Sequence, residues 1–147
     1  MSTVYAAAAD VAARYGGTLF AVTGFAPDDD GNLPPEGISA LENALEHAGS
    51  EIDMALRARY RLPLPSVPPV LARVAIDIAV ADLPRNGTGE ADLYERRAKA
   101  ARALLASLAA GDTTLDLPEA SGTAAGGGVA FYAPESAMAA KMKDFDL

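Results

Sequence analysis

Residues 59–79 read RYRLPLPSVPPVLARVAIDIA, with four prolines set against one of the most apolar segments of the chain. Pro63, Pro65, Pro68 and Pro69 cannot continue a helix, and each biases the residue before it toward extended backbone. Residues 62–67 are therefore expected to form a stiff connector, with Leu62, Leu64 and Val67 making apolar contacts along it. Pro68 or Pro69 suits the first turn of a following helix, where a missing N–H costs nothing. From residue 70 to 83 that helix is apolar nearly all round, interrupted by Arg73, Asp77 and Asp82, so other elements must surround it. It reads as the central helix of the fold.

Outward from this segment the remaining helices follow. On the N-terminal side, Ser39 and Glu42 have the spacing of a capping box, and Ile38, Leu41, Leu45, Ala48, Ile52, Leu56 and Tyr60 recur every three or four residues. That makes one long amphipathic helix, with Glu42, Glu46, Glu51 and Arg57 mostly off the stripe. A shorter, alanine-rich helix is expected over residues 5–15, stopped by Gly16 and Gly17, with a further turn over 18–22 and an exposed loop over 25–35. On the C-terminal side a fourth helix spans 90–110, with Thr88 to cap it, Gly111 to stop it and an apolar face of Tyr94, Ala98, Ala101, Leu105 and Leu108. The expected fold is all-α: a compact bundle of about four helices over residues 1–111. A C-terminal extension, 112–147, follows it. In the extension Gly126, Gly127 and Gly128 read as a flexible joint and residues 129–132 as a short strand.

Composition supports this architecture and narrows the function. At 147 residues the chain suits one domain, which buries roughly 70% of its unfolded surface. Half the residues are hydrophobic but only 6% are aromatic and none is Trp, so the core must be built from Ala, Leu, Val and Ile, a mixture that favours close-packed helices. Lys and Arg number 12 against 20 Asp and Glu, for a net charge of −8, which argues against a specific nucleic-acid surface. The absence of cysteine excludes disulfides, thiolate metal sites and a Cys nucleophile. The first 17 residues are apolar but lack a basic leader and carry Asp10 and Arg14, so neither a signal peptide nor a membrane span is expected. The protein is expected in the cytoplasm when made.

Candidate chemistry is sparse. Asp28, Asp30 and Asn32 imitate the start of a calcium loop, but Leu33 stands where a glycine is needed and Ser39 where a glutamate is needed. His47, the only histidine, has no fellow ligands or nucleophile and reads as a helix-surface residue. Gly126 to Gly128 lack the strand-before, helix-after context of a phosphate loop, and Asn86 to Thr88 match a glycosylation sequon that matters only on secretion. No catalytic residue, cofactor site or metal site is expected. The pair singled out is Arg73 and Asp77, four residues apart on an otherwise apolar helix. It reads either as an intramolecular ion pair or as a contact between subunits.

The chain also resembles a known family. Tyr5, Asp10-Val11 and Arg14-Tyr15-Gly16 are followed by Ser50-Glu-Ile-Asp53, Arg59-Tyr60, Leu62-Pro-Leu64, Val67-Pro-Pro-Val-Leu71 and Asp77-Ile-Ala79. In that order they are similar to a family of small Mu-like phage proteins long labelled a domain of unknown function. The glycine-rich stretch from Gly127 to Phe131 and the ending at Phe145 resemble the family's tail. The family commonly shows Thr or Ser capping the first helix, where this chain has Ala7.

The resemblance implies a head-completion, or head-tail connector, protein: a non-enzymatic adaptor subunit that forms a homo-oligomeric ring between portal and tail. The implied partners are the portal protein and a tail-side connector protein, and the implied location is the virion, with the host cytoplasm during assembly. Candidate subunit or portal contacts are Arg73, Asp77, Val129, Phe131, Tyr132 and Phe145. A soluble oligomeric binding or regulatory module without catalysis is the alternative reading.

Overall fold

A computed structural model describes residues 3–83 and 91–119. These residues form five α-helices and contain no strand: α1 (Ala8–Tyr15), α2 (Leu19–Thr23), α3 (Pro35–Leu56), α4 (Pro69–Asp82) and α5 (Ala91–Ala110). A 3-10 turn, Gly16–Thr18, joins the first two. The expected 129–132 strand, the glycine joint, the Thr88 cap and Val129, Phe131, Tyr132 and Phe145 lie outside the described residues.

The proline-rich stretch behaves as its chemistry requires. Pro68 is the extended residue before α4 and Pro69 occupies its first turn, so the fixed proline backbone angle opens the helix. The Leu62–Pro63 peptide bond is cis. Leu62 and Leu64 pack against the core, whereas Val67 remains 37% exposed. Within α4, residues 74–80 are all buried, because α3 and α5 cover it on two sides and α1 reaches a third. Leu41, Ile52 and Leu56 of α3, Leu71, Ile78 and Val80 of α4 and Leu108 of α5 are fully buried. Each such side chain contributes about 1.5–3 kcal/mol by leaving water.

The helix starts differ from the expectation in two places. α3 begins at Pro35, a full turn before Ser39, so the Ser39–Glu42 pair lies inside the helix and caps nothing. Pro34 accepts the backbone N–H groups of Gly37 and Ile38 through its carbonyl, and Pro35 opens the helix. Gly37 leaves room at this start: a Cβ there would stand 3.0–3.1 Å from the side chains of Leu33 and Phe25, close enough to push them aside. With the helix starting early, Ile38 is 39% exposed and drops out of the core stripe.

α1 in turn begins at Ala8 rather than at Tyr5. Ala7 has extended backbone, and the Asp10 carboxylate accepts its N–H at 2.8 Å, which supplies from the third helical position the cap that alanine cannot. Residues 3–7 therefore run as a non-helical segment across α3. At the other end, residues 112–119 return to the body. Leu115 is buried and its N–H donates to the Tyr60 hydroxyl at 2.8 Å. The Arg59 guanidinium makes two hydrogen bonds to Glu119, at 2.8 and 3.0 Å. Gly111, at φ +86°, permits this return, since a Cβ there would lie 2.5 Å from Arg59 Nη1.

Candidate functional site

The residues with chemical character gather where the N-terminal segment crosses the helices. Asp77 is buried on α4, and its nearest cation is Arg14 from the last turn of α1, with Nη2 2.9 Å from Oδ1. The two groups are close as charges but off the alignment of a hydrogen bond at that oxygen. Arg73, the partner expected from the i,i+4 spacing, stands 4.0 Å away with its side chain 74% exposed. Asp77 thus serves chiefly to tie α1 to the central helix. Arg14 was not legible as its partner, because nothing local links residues 14 and 77.

A second carboxylate performs the same task on α3. Asp53 is buried, accepts the Tyr5 hydroxyl at 2.5 Å and accepts the backbone N–H of Thr3 at 3.1 Å. Burial first, then the hydrogen bond to Asp53 and its charge, push the Tyr5 hydroxyl well above the usual tyrosine range. The end of α1 is held further by Tyr15, whose ring meets that of Tyr94 edge to face at 6.5 Å.

Between residues 3–8 and α3 lies a groove of about 420 Å³, walled by Val4, Ala6, Ala8 and Leu45, with Glu42 and Glu46 along its rim. Across the molecule, on the seam between α3 and α5, Arg102 makes two hydrogen bonds to Glu51, at 2.8 and 2.9 Å, and stands 3.8 Å from Asp82. Hydrogen bonding from Arg102 is the main reason that the Glu51 carboxyl lies below its usual range. His47 is exposed on α3. Asp28 closes its own turn, since its Oδ1 accepts the N–H groups of Asp30 and Asn32 at 2.9 and 2.8 Å. No cluster of acidic or histidine side chains suited to a metal occurs among the described residues. No helix among them is long and apolar enough to cross a membrane.

The sequence as a whole carries the decisive comparison. The family model described as Bacteriophage Mu, Gp36 matches residues 5–133, from the buried Tyr5 through all five described α-helices and beyond the described body. The chain belongs to the bacteriophage Mu Gp36 family. It is thereby a phage protein of the structural or assembly class. No curated protein matches the chain. Within the Gp36 match the segments that make the N-terminal clamp, Tyr5, Arg14, Asp53 and Asp77, all fall inside the matched span.

Proposed function

We propose that the protein is a head-tail connector subunit, an adaptor that joins identical copies in a ring between the portal and the tail and performs no catalysis. The observation that carries this reading is the Gp36 family match across nearly the whole chain. Physical features fit the role. A helical body with pinned termini offers a rigid block for repeated packing, and heterologous contacts between such blocks close into rings. The segment after Glu119 carries Val129, Phe131, Tyr132 and Phe145, enough apolar surface to dock on a neighbour or on the portal protein, with strand addition as one mode. The net charge of −8 would keep DNA from adhering as it passes. The portal and a tail-side connector are the partners in this reading, and the virion is the final location.

Removal of the gene from its phage should leave heads and tails that accumulate separately. Electron microscopy of the lysate checks this, and normal joined particles would leave the soluble binding module as the better reading. A finer version ends the chain after Glu119, which retains Leu115 and the Arg59 contact. That protein should keep the parent's helical content and thermal transition yet fail to join heads to tails. If it completes particles, the docking role of the tail residues is wrong.

A further inference from the structure

The charge on this acidic chain is unevenly placed. Four of its 12 basic residues, Arg96, Arg97, Lys99 and Arg102, fall within seven positions of α5. Two are engaged within the chain, Arg97 over the Tyr94 ring at 5.9 Å and Arg102 with Glu51. Arg96 and Lys99 are exposed and have no hydrogen bond or ion pair among the described residues. Beside them Ala100 and Ala103 are exposed too, so the outer face of α5 carries small side chains and two cations three residues apart, with Glu95 at its N-terminal edge.

The groove beside the N-terminal segment is the complement of that face. Its wall is apolar, and Val4 is 75% exposed at its edge. Glu42 and Glu46 are exposed, carry no ion pair among the described residues and stand four residues apart. Side chains at three- and four-residue spacing on helices lie about 5–6 Å apart, so the two charged rows match in length. The two surfaces also face different ways. Glu42, Glu46 and Asp53 share the flank of α3 that holds Tyr5, whereas Glu51 and Ala55 lie on the flank facing α5. One copy cannot bring its own α5 face into its own groove.

We propose that the groove receives the outer face of α5 from a second copy of the chain, with Arg96 and Lys99 meeting Glu42 and Glu46 and Ala100 and Ala103 seated against Val4 and Leu45. The contact is head to tail, because each copy offers a groove at one side and an α5 face at the other. It builds on the ring reading above but is measured on the purified chain, so a failed association and a failed head-joining assay are separate results.

Sedimentation velocity on the full chain at low and high salt tests it, using the paired variants R96E/K99E and E42K/E46K. The parent should self-associate at low salt and weaken as salt rises. Each variant alone should associate about tenfold or more weakly, since like charges then face each other. An equimolar mixture should recover association in alternating order, because every groove again meets an opposite charge. All four positions are solvent-exposed, and circular dichroism of each variant checks that the fold is kept. A parent that stays monomeric at low salt, variants that associate like the parent, or a mixture that recovers nothing would each overturn the proposal.

Discussion

The α3, α4 and α5 trio and the N-terminal region of residues 3–24 are held by different physics. In the trio the contact is continuous and apolar: Leu41, Ile52, Leu56, Leu71, Ile78 and Leu108 are all within 1% of full burial. Any one position shares its role with its neighbours, and the arrangement follows from area removed from water. The N-terminal region has helices of only eight and five residues, too short to stand alone in water. Val11 and Val22 insert into the core, but the position of the region is set by two carboxylates, Asp53 holding Tyr5 and Thr3, and Asp77 holding Arg14. Where area decides, side chains can be exchanged. Where two buried charges decide, the partners cannot.

The sharpest way to break this contrast is to put a charge into the trio. Ile52→Asp would place a carboxylate at a fully buried site of the apolar core, which should abolish the cooperative thermal transition. Calorimetry showing a transition like the parent's would mean that α3 does not pack on α4 as described.

The same contrast explains what was legible in the sequence. The trio was readable because its signal is periodic: the stripe from Leu41 to Tyr60 and the α5 face from Tyr94 to Leu108 are buried as their spacing implies, and residues 74–80 of the apolar α4 are buried too, although Val70 at its start is 39% exposed. Local signals were less reliable where packing overrode them. The Ser39–Glu42 spacing lost to Pro35 and to Gly37, which admits Leu33 and Phe25 over the first turn. Tyr5 read as helical because alanines follow it, yet the buried Asp53 draws its hydroxyl across α3, and the segment stays out of the helix up to Ala7. The polar pair singled out, Arg73 and Asp77, does stand at ion-pair distance, 4.0 Å, but the closer partner of Asp77, Arg14, was not found. Links such as Arg14 to Asp77, or Tyr60 to Leu115, span many residues with no period between them, so only the folded chain reveals them.

Asp77 also allows the two kinds of partner to be compared directly. Arg14→Ala would leave a buried carboxylate with only the distant, exposed Arg73 to turn toward it. Breaking a buried pair costs about 3–5 kcal/mol, and partial exposure of Arg14 together with rescue by Arg73 should reduce this to about 2 kcal/mol. In a domain of this size that lowers the melting temperature by about 4–8 °C. Arg73→Ala, on an exposed side chain, should change stability by less than about 0.5 kcal/mol. Equal losses in the two variants would show that Arg14 and Arg73 share Asp77 evenly and that α1 is not specially tied.

A loss smaller than that at Arg14 is expected at Tyr5, and its pH dependence makes it the most specific. Tyr5→Phe keeps the ring in place but removes the donor, leaving Asp53 with the Thr3 N–H. A hydrogen bond to a charged group is worth about 1.5–3 kcal/mol, and the remaining donor should hold the loss near the lower end. The folded-state hydroxyl titrates above its unfolded value, because burial and the neighbouring carboxylate both disfavour the phenolate. The stabilisation is therefore complete below the unfolded tyrosine value of about 10, and it falls as the pH rises beyond that, since only the unfolded chain then releases the proton. Other tyrosines and lysines titrate alike in both proteins, so the difference between them isolates Tyr5. Urea midpoints measured from neutral pH to about pH 11.5 should show the parent more stable by a constant margin up to about pH 10 and by a shrinking margin above it. A margin that stays constant throughout would mean that Tyr5 does not donate to Asp53, and that the N-terminal segment is held by the Thr3 amide and apolar contact alone.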